Sequence, residues 1–165
     1  MSLYGVYIIS KSGSLLYQYK SNNENNPLRS QGENDHLVIA SNIHGLHAIA
    51  AQLTPPTVTT MKSSNKTEAF KRPANNSGLR FVRTDFFSIY IDQTVTGLKF
   101  ILFTSNEISQ QQVYITTTKI YNLYCDYVMK NPWYKTGMPI RIKSFDEKVQ
   151  QLTNAKSIQG FSIIN

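Results

Sequence analysis

His44 and His47 lie three residues apart in a stretch with helical apolar spacing, so their imidazoles share a face and are close enough to share a metal ion or a proton. A metal site needs a third and a fourth ligand. His36 falls on a different meridian from His44, and no HExxH or facial carboxylate accompanies the pair, so the spacing fits packing and interface histidines and no metal is expected. Cys125 is the only cysteine; it falls inside a helical stretch beside Tyr121 and Val128, with no base or orienting group near it, and reads as an inert thiol. Asp85, Asp92, Asp126 and Asp146 are isolated, as turn, strand-edge or cap residues are, and form no acid/base pair. The run Ser10-Lys11-Ser12-Gly13-Ser14 has one glycine and opens a strand, so it lacks the backbone nest and helix N-terminus that hold a pyrophosphate. No cofactor and no catalytic residue are expected. The mixed basic and aromatic runs 79–84 (LRFVRT) and 134–143 (YKTGMPIRIK) have the look of nucleic-acid stacking platforms, but alternation of this kind also describes a half-buried strand, and nucleic acid is not an expected partner.

Few of these residues do chemistry alone, so the elements that position them carry the argument. Residues 3–9 (LYGVYII) are apolar or aromatic in both alternating phases except at Gly5, as in a central strand covered on both faces. Ser12 and Gly13 supply a turn, and residues 15–20 return as a second strand with Leu15, Tyr17 and Tyr19 on one face. Residues 21–34 read as loop. From about Asp35 to Leu53 the pattern is helical, with Ile39, Ile43, Leu46, Ala50 and Leu53 as the expected inner stripe, capped by Asn34 or Asp35. Val38 and Ile49 flank that stripe, while Leu37, Ala48 and Ala51 fall on the far side, so the helix is apolar almost all round. One sheet covers one face of a helix. A partner subunit on another face, including Leu37, His44, Ala48 and Ala51, is the expected remedy.

Pro55 and Pro56 end that helix, and 54–77 reads as a polar, mobile loop. Strands are expected at 79–84, 87–94 and 98–104, the last two joined at Thr96 and Gly97, as an antiparallel meander. A second helix is expected from about Gln111 to Lys130, with Val113, Thr117, Ile120, Tyr124 and Tyr127 inward and Pro132 stopping it. Ser144 and Glu147 form an S-x-x-E capping box for a short third helix carrying Phe145, Val149 and Leu152. The tail 158–165 carries no assignable pattern. The order ββαβββαα groups strands with strands, which argues an α+β single domain over 1–165 and against a parallel dinucleotide-binding sheet.

With 165 residues the chain has one-domain length, and no window approaches a membrane span or a signal peptide; with one cysteine, this points to a reducing, cytosolic setting. The net charge is +7, and residues 1–60 balance Lys11, Lys20 and Arg29 against Glu24, Glu33 and Asp35, so the whole excess lies beyond residue 60. A basic surface of this kind attracts anionic partners.

Four blocks, YIISKSGSLLYQ, HLVIASNIHGLHAIAAQLTP, SGLRFVRTDFFSIYIDQTVTGLKFILFTS and KIYNLYCDYVMKNPWYKTGMPIRIKSFDEKV, resemble the synbindin-type small subunit of the TRAPP vesicle-tethering complex, in order along nearly the whole chain. The resemblance implies a longin-like (profilin-like) fold, with a mixed, mainly antiparallel five-stranded sheet and helices on both faces. It implies assembly with sister TRAPP small subunits, location at the endoplasmic reticulum and cis-Golgi membranes, and a share in nucleotide exchange on a Rab-family GTPase without catalytic side chains of its own. The segment Met138, Pro139, Ile140, Arg141 with Phe145, Asp146 and Lys148 is the expected GTPase-facing surface, and the basic surplus an expected peripheral contact with anionic membrane. Animal members of the family carry a PDZ-like insertion for which residues 21–34 leave no room. The rival readings are a longin-like adaptor binding a SNARE or coat protein, and a stand-alone nucleic-acid module.

Overall fold

The computed structural model describes residues 3–24, 26–53 and 78–154. The expected polar loop 54–77 and the tail 158–165 lie outside them. Five strands, β1 (Leu3–Ile9), β2 (Leu15–Lys20), β3 (Phe81–Arg83), β4 (Ser88–Gln93) and β5 (Lys99–Thr104), form one sheet in the order β2-β1-β5-β4-β3. Helix α1 (Glu33–Leu53) covers one face; α2 (Gln110–Leu123), continued by a π-helical turn (Tyr124–Met129), and α3 (Lys143–Asn154) cover the other. This is the α+β architecture with helices on both faces that the sequence led us to expect. The sheet is not mixed, however: every described strand pair is antiparallel, because each neighbouring strand is reached by a hairpin or from the opposite end.

Every residue of β1 and β5 is buried, as expected of strands covered on both faces. Val6 and Ile8 of β1 meet Phe100 and Leu102 of β5 in the core beneath α2 and α3, whereas Tyr7 and Ile9 meet Ile101 and Phe103 beneath α1. A register shift between Leu3 and Gly5 resets the alternation, so Tyr4 joins the α1 side. Gly5 is required there by crowding: a Cβ would stand 2.8 Å from Leu28 Cδ1 and 2.9 Å from the Tyr19 carbonyl oxygen. The tight β1–β2 turn closes with Ser10 N–H donating to the Ser14 carbonyl at 2.8 Å, and Gly13 sits at φ 94°, where a side chain would be strained.

The helix boundaries differ from expectation in ways the caps explain. α1 starts two residues earlier because Gly32 N–H donates to Asp35 Oδ2 at 2.8 Å, so Asp35 satisfies the helix start from inside the first turn. α2 is capped by Ser109, whose side chain accepts from Gln112 N–H. α3 begins at Lys143, with Phe145 and Asp146 N–H both donating to the Ile142 carbonyl; Ser144 is already inside the helix and makes no box with Glu147. The first of the three later strands shrinks to Phe81–Arg83. Of the inner residues expected of the last two helices, Val113, Thr117, Ile120, Tyr124, Phe145 and Val149 are buried, and Tyr127 and Leu152 are half-buried.

The inner stripe of α1 is the main correction. The buried residues are His36, Ala40, Ile43 and His47, spaced 4, 3 and 4; of the expected stripe only Ile43 is buried, Ile39 and Ala50 are half-buried, and Leu46 and Leu53 are exposed. Two histidines go in because the sheet supplies them with partners.

Candidate functional site

Those partners hold His36 and His47 against the sheet. Tyr7 Oη is bonded to His36 Nδ1, and their rings meet edge-on at 5.7 Å between centroids. His47 Nδ1 donates to the Leu79 carbonyl at 3.0 Å, and Nε2 is bonded to the Gln93 side chain, so both ring nitrogens tie α1 to the sheet's far half. His44 packs on the β1–β2 turn over Gly13, with a buried Nδ1 that has no hydrogen-bond partner. Burial lowers the pKa of His36, helped by the Lys20 charge and opposed by Glu33 and Asp35; burial lowers that of His44 too, helped by Lys99 and His47. Among the described residues no three His, Cys, Asp or Glu side chains gather where a metal could sit. Cys125 lies half-buried in the π turn against the core.

What the fold does present is surface. Leu37, Val38, Leu46, Ile49 and Leu53 of α1 are 54–77% exposed. At 100° per residue, Val38, Leu46, Ile49 and Leu53 fall within about 80° of arc and make one apolar flank. The side expected from the sequence to face a partner is Leu37, His44, Ala48 and Ala51. Leu37 and Ala48 are exposed, while His44 and Ala51 are half-buried. The apolar flank was missed because Leu46 and Leu53 had been assigned to the core in place of His36 and His47.

The loop into α3 is built against β2. Ile140 N–H donates to the Leu16 carbonyl at 2.8 Å, Ile140 is buried, and Phe145 stacks edge-on against Tyr17 at 4.8 Å between centroids. Burial first, and then the Asp146 carboxylate beside it, push the Tyr17 phenol far above its ordinary pKa. Ile140 and Phe145 therefore hold the loop in place, leaving Met138, Pro139, Arg141 and Lys148 exposed. A groove of about 610 Å³ runs along the β2 edge, and its walls include Leu37 from α1 together with Pro139, Ile140, Arg141 and Asp146. Leu37 of the expected subunit surface and Pro139, Ile140, Arg141 and Asp146 of the expected GTPase-facing segment thus line one groove. Met138, Phe145 and Lys148 lie outside its walls; Lys148 borders a separate groove of about 400 Å³ with Lys119, Asp126 and Leu152.

With this geometry in hand, comparison with known proteins gives one decisive match: the profile of the Sybindin-like family fits residues 3–156. The chain belongs to the Sybindin-like family. Trafficking protein particle complex subunit 4 of Dictyostelium discoideum, a relative, is 31% identical over 94% of this chain and 99% of its own length. The mouse subunit 4 is 30% identical over 91% of this chain but only 62% of its own length, so this Sybindin-like chain spans less than two thirds of that protein. Subunit 1 of the Dictyostelium complex is 23% identical over 87% of the chain. Among solved structures, MglB of Myxococcus xanthus covers 71% of the chain at 14% identity and a TM-score of 0.42, and a Roadblock/LC7 domain from Streptomyces avermitilis covers 74% at 9% and 0.44. The Sybindin-like match covers both surfaces described above and ends two residues beyond α3. No helix among the described residues is long and apolar enough to cross a membrane.

Proposed function

We propose that this chain is a core small subunit of a TRAPP-type vesicle-tethering complex, acting between endoplasmic reticulum and Golgi and contributing to nucleotide exchange on a Rab-family GTPase once assembled. The observation that carries this reading is the flank Val38, Leu46, Ile49 and Leu53, left in water by a helix whose inner face is already filled. An apolar strip of this kind on a Sybindin-like chain is a subunit contact, and the relatives are named as subunits of one complex. In the proposal a sister subunit covers that flank, with Leu37, His44, Ala48 and Ala51 as its opposite border.

The exchange reading needs no nucleophile or base. A surface that binds the nucleotide-free GTPase more tightly than the loaded form accelerates release through differential affinity alone. The Leu37–Pro139–Arg141–Asp146 groove is the surface we assign to this contact, with Met138 next to Pro139, Ile140 and Phe145 supporting it from the core, and Lys148 on the neighbouring groove. The complex works on the cytoplasmic side of its membranes, touching them peripherally through the basic surplus.

Co-expression with candidate sister subunits, size-exclusion chromatography and a nucleotide-release assay test the two parts separately. A chain that stays monomeric beside every sister subunit overturns the subunit reading. A complex that assembles but leaves the release rate at its spontaneous value overturns only the exchange reading.

A further inference from the structure

Trp133 is 93% exposed, more than any other large apolar side chain among the described residues. Its loop is nonetheless tightly built. Trp133 N–H donates to Asn131 Oδ1 at 3.0 Å, Tyr134 N–H to the Asn131 carbonyl at 3.1 Å, and Met138 N–H to the Lys135 carbonyl at 3.1 Å, with Gly137 at φ 92° completing the second turn. Tyr134 packs its ring against the core and donates its hydroxyl to the Met138 carbonyl at 2.9 Å. The two turns are therefore fastened to each other and to the body, and the indole beside Tyr134 is held outward. A backbone held in this way loses little conformational freedom when the loop binds.

The surroundings say what it binds. Met129 and Met138 are 51% and 55% exposed at the two ends of the loop. From Tyr127 to Phe145 the chain carries Lys130, Lys135, Arg141 and Lys143 and no acidic residue. Lys130 is paired with Asp126; Lys135, Arg141 and Lys143 are exposed and form no ion pair among the described residues. An apolar tip backed by unneutralised cations is complementary to an anionic surface that is soft just beneath its charge. An indole with one N–H and a broad apolar ring settles at the boundary between lipid headgroups and hydrocarbon, and each nearby Lys or Arg adds attraction to anionic headgroups. An acidic protein partner would have to supply the whole pocket for a side chain that has almost no neighbours of its own, whereas a bilayer needs none.

We propose that the Asn131–Met138 loop is a membrane-surface contact that seats Trp133 in the headgroup region of an anionic bilayer, with Lys135 and Lys143 held against the lipid charge. This rests on and sharpens the peripheral contact in the proposed function, but its test reads vesicle binding alone, so its failure leaves the subunit assignment standing.

Trp133 is the only tryptophan in the chain, so intrinsic fluorescence of the full-length protein reports on this loop directly. Vesicles of phosphatidylcholine with phosphatidylserine are expected to shift the emission to the blue at low salt, and bromine-labelled lipid to quench it; pure phosphatidylcholine and high salt should do neither. In the Lys135→Glu, Lys143→Glu double variant, binding should weaken by at least about fivefold for each cation replaced. Trp133→Ala should lower co-sedimentation with anionic vesicles. The proposal is overturned by unchanged emission with anionic vesicles, by an equal shift with neutral ones, or by parent-like binding of either variant. A shift produced by poly-glutamate and not by vesicles also overturns it, in favour of an acidic protein face.

Discussion

The Ile140 N–H donates to the Leu16 carbonyl across 2.8 Å, and this bond fastens the loop entering α3 to the outer edge of the sheet. The Ile140 side chain is buried in the same core as Leu16 and Phe145. Removing most of it in Ile140→Ala takes away packing next to the bond and should destabilise the chain by about 2–4 kcal/mol, read from urea unfolding. Arg141→Ala, one residue on and exposed, should stay within about 0.5 kcal/mol, because it leaves nothing buried unsatisfied. Equal losses in the two variants would mean that the loop is not anchored by Ile140.

The two sides of α1 should separate stability from assembly. Ile43→Ala empties a buried position and is expected to cost about 2–4 kcal/mol. The double variant Leu46→Asp, Ile49→Asp alters only side chains that face water in the isolated chain, so its unfolding midpoint should stay close to the parent's while co-purification with a sister subunit is lost. Ala48→Glu probes the opposite border. Loss of assembly in Ala48→Glu, with assembly kept in the double variant, would move the contact to the Leu37 side.

Why the inner stripe of α1 was misread is instructive physically. Hydrophobic periodicity counts Leu46 and Leu53 as core candidates and passes over His36 and His47, but a histidine can be buried when its nitrogens find partners. Those partners, the Tyr7 hydroxyl, the Leu79 carbonyl and Gln93, come from distant strands, and no local pattern names them. β1 was legible as a central strand because a strand covered on both faces needs an unbroken apolar run, and VYII supplies it; β5 was legible only as a strand. The candidate surfaces were legible in part: exposure of α1 followed from its excess of apolar residues, but the joining of Leu37 to Pro139 and Arg141 in one groove depends on β2 lying between them.

Acid should weaken the fold through His36 and His44. Both have pKa values lowered in the folded chain, so the unfolded chain binds protons that the folded one resists. Their contribution is fully present above the unfolded value of about 6.5 and is lost as the pH falls through and below it. Urea midpoints should fall between neutral pH and about pH 5.5, and His44→Asn should flatten part of that fall. A His44→Asn profile parallel to the parent's would remove His44 as a contributor.

At Gly5 two opposed effects can be weighed. Alanine there would reduce the freedom of the unfolded chain, a gain of about 0.4–1 kcal/mol where the native backbone accepts it. The added Cβ, however, would meet the Tyr19 carbonyl oxygen at 2.9 Å, and that atom belongs to the neighbouring strand and cannot rotate away. Overpacking costs about 1–3 kcal/mol, so Gly5→Ala should be net destabilising by about 1–2 kcal/mol in urea, with backbone amides of β1 and β2 exchanging faster than those of α2. Unchanged stability would show that β2 can step away from β1 at Tyr19 without loss.

The GTPase contact can be divided along the grooves. Lys148 lies beside Asp126 and Leu152, away from the Leu37–Pro139 walls, whereas Arg141 lines them. If the β2-edge groove meets the GTPase, Arg141→Glu should slow nucleotide release by the assembled complex at least tenfold, the cost of turning a favourable contact into a like-charge or unpaired one at an interface. Lys148→Glu should slow it less than threefold, as a rim charge screened by water does. Both substitutions are on exposed side chains, so the complex should assemble in each case and the comparison reads exchange alone. A larger loss at Lys148 than at Arg141 would transfer the contact to the α2–α3 groove and leave the β2 edge without this role.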